Sequence, residues 1–249
     1  PMPRLKRPVI ALVYSYPTLR LSGIPPRQDM TNLRKYHTAL LLLHYPFEML
    51  MEEDISAKTL AKYEAVVLPC NRNSYSETIP AVKEYVKRGG RLLFADDAFL
   101  EDEYGKKLPT DSLFREKKSG TSFGAGKLWS FDRNLPANRL SEELRKIFKS
   151  ERISRYVALE TADGKPFPET EVQIIDRGSR KLLLVINLND GKPVLGRLQV
   201  FCGENGSSVT EVSARKRYLN GSGSEKWSAA ELAAGIGLVV PPQERRLFL

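Results

Sequence analysis

Histidine and cysteine are almost missing from this sequence, with two of each: His37 and His44, Cys70 and Cys202. A disulfide framework needs more cysteines at closer spacing, so none is expected. A zinc site needs clustered His and Cys ligands, which these four residues do not supply, so no structural metal is expected. His37 and His44 are seven residues apart, two turns along one helix face, whereas a helical metal pair prefers a spacing of four. Packing or an interface is the better role for both. Cys70 stands where a strand meets a loop, a place that suits a nucleophile. A catalytic cysteine also needs a base in reach, and no histidine follows His44. Cys70 therefore reads as a small apolar residue at a strand end.

Long apolar runs are lacking too. None approaches the roughly 20 residues that span a bilayer, so no membrane partner is expected. The basic start Pro1–Arg7 leads into an apolar run, Val9 to Val13, too short for a signal peptide. A cytoplasmic location is favoured. The absence of an initiating Met suggests a piece of a longer chain, whose address would lie elsewhere. The charge is unbalanced, at +9, with basic residues concentrated at Arg4, Lys6, Arg7, Arg20, Arg27, Arg34 and Lys35, and again from Arg145 to Arg155. Neither cluster has the interleaved aromatics or the motif of a nucleic-acid reader. A solvated face, or a surface meeting an acidic neighbour, fits better.

What is present is the content of a folded protein: 249 residues, 41% hydrophobic and 28% charged. The most ordered stretch runs from Ala65 to Asp97. Ala65-Val66-Val67-Leu68 is a short apolar run. After Ser76-Glu77-Thr78, the residues Ile79, Val82, Tyr85 and Val86 share one helical face. Gly89-Gly90 ends that helix, and Arg91 to Ala95 is a second apolar run. This is a βαβ unit whose strands are covered on both faces, as in a parallel sheet. Ligands of such sheets sit beyond the carboxyl ends of the strands, here Pro69 to Arg72 and Asp96-Asp97.

The flanking sequence extends the pattern. Strands are expected at Pro8–Tyr14 and Phe47–Met51, a helix from about Thr31 to His44, and an extended Pro- and Gly-rich loop from Tyr16 to Arg27. Ala98–Gly126 shows no helical period; a strand at Lys127–Phe131 and a helix at Ser141–Phe148, which a serine could cap, complete an α/β domain over 1–150. From 151 to 249 the texture is β. Seven short strands (155–160, 171–176, 181–188, 194–201, 209–212, 237–240 and 245–249) are separated by turn formers such as Asn189-Asp190-Gly191 and Asn205-Gly206. A small antiparallel β-sandwich is expected. No repeat of 20 to 50 residues is visible.

Among candidate sites, Asp96, Asp97 and Glu101 with Asp102-Glu103, and also Glu52-Glu53-Asp54, put carboxylates at strand ends. Such a rim could bind a cation or sugar hydroxyls, or hold an acid/base pair; a charged rim with no ligand reads the same way. Gly120 to Lys127 resembles a phosphate loop, but Leu128 rather than Ser or Thr follows the lysine, and a strand rather than a helix comes next. No cofactor is expected. Trp227, with Tyr218 and Phe201, would suit sugar binding if the three rings shared an exposed face. Trp227 follows Gly221-Ser222-Gly223-Ser224-Glu225-Lys226, which reads as a loop.

Taken together, Tyr63-Glu64-Ala65-Val66-Val67-Leu68-Pro69 and Val86-Lys87-Arg88-Gly89-Gly90-Arg91-Leu92-Leu93 resemble the flavodoxin-like middle domain of family-42 β-galactosidases. That domain is itself similar to class I glutamine amidotransferases. Phe123-Gly124-Ala125-Gly126-Lys127-Leu128 resembles its Gly-x-Gly lead-in to a strand. Leu238 to Leu249, and the apolar strand ending in Asn187, are similar to the small β domain that closes those enzymes. The resemblance implies a role in trimer formation. It also implies what is absent: the amidotransferase elbow Gly-x-Cys-x-Gly is replaced by Phe94-Ala95-Asp96-Asp97-Ala98. The galactosidase glutamates belong to a (β/α)8 barrel, which takes roughly 250 residues of its own. No catalytic residue is therefore assigned. The expected function is a non-catalytic oligomerisation and accessory region of a glycoside hydrolase, forming a homo-oligomer, with carbohydrate as a possible ligand. The alternative is a free-standing carbohydrate-binding or small hydrolase module using the strand-end carboxylates.

Overall fold

The structure is a computed structural model that describes residues 4–5, 8–22, 27–109, 114, 120–161, 163–167, 169–177, 180–203 and 205–249. The chain divides into two compact units. One holds Pro8–Ala39 and Phe47–Ile153; the other holds the strand β1 (Arg4–Leu5), Leu40–Pro46 and Ser154–Leu249. Relative to a split at residue 150, β1 and Leu40–Pro46 are thus grouped with the C-terminal residues.

The first unit is built on strands β2 (Ile10–Tyr14), β3 (Phe47–Met51) and β4 (Ala65–Leu68). After the two-residue β5 (Asn73–Ser74) come β6 (Arg91–Ala95), β7 (Glu101–Asp102), β8 (Thr121–Phe123) and β9 (Gly126–Phe131). The main sheet has the order β3-β2-β4-β6-β9-β8, parallel throughout except for β8. β5 and β7 form a separate parallel pair. Side chains alternate in strands, so Val66, Leu68, Leu92 and Phe94 face one side and pack in one cluster with Val82, Tyr85 and Val86. Their neighbours Val67 and Leu93 are buried as well, so both faces are covered. The continuous apolar runs of the sequence follow from that double burial.

The helices explain where composition misleads. The expected loop from Tyr16 holds instead a helix, α1 (Tyr16–Leu21). Ser15 caps it by accepting the Thr18 N–H at 3.3 Å, and Pro17 lies in its first turn, where a proline's missing N–H has no helical partner to lose. Next come α2 (Arg27–Leu42), α3 (Ala57–Leu60) and α4 (Thr78–Lys87). α5 (Ala137–Ser150) starts four residues before the expected Ser141, and its N-cap is Pro136 with no side-chain cap, so no serine caps it. Its buried residues Leu140, Leu144, Ile147 and Phe148 keep the helical period.

The glycine-rich stretch before β9 has a packing reason. A Cβ at Gly126 would come within 2.1 Å of the Val86 carbonyl oxygen and 2.3 Å of that of Gly90. Gly124 adopts φ +62° against the backbone of Lys87. Backbone bonds from Ala125 N to Lys87 O (3.0 Å) and from Lys127 N to Gly90 O (3.2 Å) fasten this passage to the end of α4. It is a close backbone crossing, with no helix N-terminus following.

The second unit contains β10 (Val157–Glu160), β11 (Thr170–Arg177), β12 (Arg180–Asn187), β13 (Val194–Val200) and β14 (Val209–Glu211). It continues with β15 (Lys216–Tyr218), the short α6 (Ala229–Ala234), β16 (Ile236–Val240) and β17 (Arg245–Phe248). One antiparallel sheet runs β1-β11-β12-β17-β14-β15 and the other β10-β13-β16. Both supply one core: Leu159, Leu198 and Val240 from the smaller sheet, Ile174, Val185 and Phe248 from the larger. β15 and α6 were not legible beforehand. β15 is three residues long, and α6 is secured by a capping box in which Ser228 and Glu231 satisfy each other's backbone.

Candidate functional site

The carboxyl ends of the parallel strands gather polar side chains, and most of them are buried. Ser15, after β2, donates to the Asn73 carbonyl at 2.9 Å. Glu52, after β3, is 2% exposed and accepts from Asn71 Nδ2 (3.3 Å) and from the Tyr75 backbone N–H (3.2 Å). Burial raises its pKa, opposed by hydrogen bonds from Ser15, Thr78, Ser74 and Tyr75. Cys70 and Asn71, after β4, are fully enclosed. Burial pushes the Cys70 thiol far up, and the carboxylates Asp29, Asp97 and Glu52 push it further. A thiol so held is no nucleophile.

Beyond β6, Asp96 accepts the Arg133 N–H at 3.2 Å, and Asp97 pairs with Arg133 Nη1. Arg133 Nη2 reaches Asp29 of α2 at 3.2 Å, so one guanidinium holds two carboxylates. For Asp97, burial raises the pKa more than Arg133 lowers it. Lys35 donates to the carbonyls of Arg133 and Leu135 at 2.9 and 3.1 Å and steadies that loop. Glu101, in β7, accepts from Arg72 at 3.0 Å and from Asn73 Nδ2 at 2.9 Å, and these bonds lower its pKa.

Asp96 and Asp97 are thus joined through Arg133, while Glu101 belongs to a separate group with Arg72 and Asn73. Among the described residues, no group of three or more His, Cys, Asp and Glu side chains could hold a metal ion. Three acceptor oxygens here, Asn32 Oδ1, Asn71 Oδ1 and Asp97 Oδ1, are buried without a protein partner. Asp29 and Arg133 gave no signal in the sequence, since each stands among other charged residues (Arg27, Arg34 and Lys35; Asp132) and no motif singles it out.

Trp227 belongs to the second unit and is not on a platform. It is 6% exposed, donates Nε1–H to the Tyr218 carbonyl at 3.1 Å and lies in the core cluster. Phe201 is exposed, with the Arg155 guanidinium 5.6 Å from its ring centre. The three rings therefore present no common exposed face, the condition that sugar binding through them requires. An isolated backbone bridge, with Trp227 N donating to Ser207 O at 2.8 Å, holds this part of the loop in place. No helix among the described residues is long and apolar enough to cross a membrane.

No protein-family model matches the chain, and no curated protein matches it. Solved structures do. Over 98% of its length the chain aligns with 29% of a GH42 exo-carrageenase from Bacteroides ovatus, at 17% identity and TM-score 0.61. Over 98% it aligns with 40% of a catalytic mutant of Gan42B, a GH42 β-galactosidase from G. stearothermophilus, at 10% identity and TM-score 0.70. Over 97% it aligns with 41% of a β-galactosidase from Bacillus circulans sp. alkalophilus, at 14% identity and TM-score 0.67. The chain spans less than half the length of each of these proteins. Its fold is that of a part of the GH42 β-galactosidases.

Proposed function

We propose that this chain is the non-catalytic accessory and oligomerisation region, C-terminal to a catalytic barrel, of a β-galactosidase-like glycoside hydrolase. The observation that carries the reading is one of coverage. Nearly all of this chain, 98%, corresponds to 29% to 40% of much longer GH42 proteins. In this reading residues 1–150 are a flavodoxin-like, amidotransferase-like domain. The order β3-β2-β4-β6-β9, which is 2-1-3-4-5 by sequence, supports it. Residues 151–249 are a small β-sandwich accessory. The state of the carboxylates also supports it: Asp97 is committed to Arg133, and Glu101 to Arg72 and Asn73. The work of the region is surface burial between copies, in a trimer by the resemblance.

Light scattering on the purified chain, across concentration and salt, tests this together with a chromogenic galactoside assay. A stable trimer or dimer without turnover is the expected result. Turnover that Asp96→Asn or Asp97→Asn abolishes would overturn it in favour of a free-standing hydrolase. A monomer at every concentration would leave any assembly contacts to a portion outside this chain and move the reading toward a carbohydrate-binding module.

A further inference from the structure

The three-stranded sheet β10-β13-β16 of the second unit has two edges, and only one of them is used inside the unit. At β10, the Leu159 N–H is given to His44 Nδ1 at 3.3 Å, and the Leu159 carbonyl accepts the Phe167 N–H at 3.5 Å. At β16, among the described residues, Gly237, Leu238 and Val239 make no backbone hydrogen bond outside the ladder with β13. A free edge is ordinarily guarded by lysine, proline or a bulge. β16 reads Ile-Gly-Leu-Val-Val, with neither residue inside it, and its register against β13 is unbroken.

This edge lines an open cavity of about 620 Å³. Strand alternation puts Leu195, Arg197, Gly237 and Val239 on one face, with Leu195 opposite Val239 and Arg197 opposite Gly237. Leu195 and Val239 are 63% and 54% exposed, so the apolar pair is available to a ligand. Arg197 is exposed too, with no hydrogen bond or ion pair among the described residues. Lys216 of β15, its Nζ 5.0 Å from the centre of the Tyr218 ring, adds a second exposed cation to the lining. The one acid among the described lining residues, Glu211, is 3% exposed and already accepts from Arg246, Tyr218 and Ser213. The cavity is therefore positive and lacks a free carboxylate.

A strand added beside β16 would lie about 4.8 Å from it and meet the unpaired backbone groups. A Cβ at Gly237 would meet nothing within 4 Å, so a side chain of the added strand has a clear path over Gly237 to Arg197. A second copy of this chain is a poor occupant, because two β16 edges would bring the same cations together with no free acid between them. We propose that β16 docks an extended acidic segment of another protein as a fourth strand. An acidic side chain opposite Gly237 meets Arg197. Two residues along, an apolar side chain opposite Val239 packs on the Val239–Leu195 pair. Backbone bonds supply affinity, and the acid-x-apolar pattern supplies specificity.

The test is fluorescence anisotropy of the full chain with a fluorescein-labelled peptide, Thr-Ser-Glu-Thr-Val-Thr-Ser. The peptide should bind at one per chain. The same peptide with Lys in place of Glu, or N-methylated throughout so that its backbone donors are gone, should bind at least roughly tenfold more weakly. Arg197→Gln should weaken the Glu peptide by a similar factor and leave a Gln-for-Glu peptide unchanged. Gly237→Val, whose Cβ has open space in the folded chain, should abolish the preference for Glu over Gln, with circular dichroism confirming the fold. No binding, equal binding of the Lys or N-methylated peptide, or a Glu preference that survives both variants would each overturn the proposal. Self-association of the chain that Val239→Lys reverses, with no peptide bound, would overturn it in favour of a second copy. Peptide binding is read apart from galactosidase turnover and oligomer number, so it can fail without the accessory reading failing.

Discussion

The guanidinium of Arg133 closes on the carboxylate of Asp97 and, with its other terminal nitrogen, on Asp29. The two acids come from the end of β6 and the start of α2, so a single cation ties a strand end to a helix start. Their side chains are 12% and 8% exposed and that of the arginine 23%. Removing the cation strands two poorly solvated charges. Breaking a buried pair costs about 3–5 kcal/mol, and the partial exposure here reduces that. Arg133→Leu should therefore lower unfolding stability by about 2–3 kcal/mol in urea denaturation, and Asp97→Asn, which keeps an acceptor, by about 1 kcal/mol. A neutral effect of Arg133→Leu would mean that the pair is not formed.

His44 gives the second unit a pH dependence. Its Nδ1 accepts the Leu159 N–H at 3.3 Å, and its Nε2 lies 3.3 Å from Thr170 Oγ1, which donates to the Phe167 carbonyl. Both bonds suit the neutral ring. Burial, then the neighbouring Arg155 charge, takes its pKa from 6.5 down to about 3. The unfolded chain therefore takes up a proton below pH 6.5 that the folded chain refuses. The stability contributed by the neutral ring is complete above 6.5 and is lost as pH falls toward 3, at up to about 1.4 kcal/mol per unit. His44→Asn, which tolerates the native φ of 57°, should flatten that slope between pH 6 and 4, whatever it does to stability at neutral pH.

How much of this was legible follows from the range of each interaction. β2, β4, β6 and β9 announced themselves because both faces are buried, and α4 because Val82, Tyr85 and Val86 keep one period. α1 was missed because Pro17 looks like a breaker until the Ser15 cap places it in the first turn. The carboxylates at the strand ends were visible as residue types. Their fate was not: Asp97 meets an arginine 36 residues later, and Glu52 an asparagine 19 residues later. Nothing local in sequence encodes such pairs. Trp227 misled for the same reason, since its loop composition hides a backbone bridge to Ser207.

Among the described glycines, Gly126 is the one whose Cβ would come nearest to backbone atoms. In Gly126→Ala the new methyl would face two backbone oxygens, at 2.1 and 2.3 Å, and neither is the end of a flexible side chain. Either β9 or the end of α4 must shift. Overpacking of this kind costs about 1–3 kcal/mol and sometimes more, so a loss of about 3 kcal/mol is expected in urea unfolding. Gly221→Ala is the control: its Cβ would meet nothing within 4 Å, and stability should stay within about 0.5 kcal/mol.

Trp227 separates a core role from a sugar-binding one. As a core residue whose indole N–H is held by the Tyr218 carbonyl, it should cost about 3–5 kcal/mol as Trp227→Ala. Trp227→Phe keeps much of the apolar contact and leaves the Tyr218 carbonyl without that donor, so about 1–2 kcal/mol is expected. The chain has two tryptophans, so Trp129→Phe leaves Trp227 as the sole indole emitter. In that background the emission should be that of a buried indole and should not respond to galactose. Quenching by a sugar, together with an unfolding midpoint unchanged in Trp227→Ala, would place the ring at the surface and restore the platform.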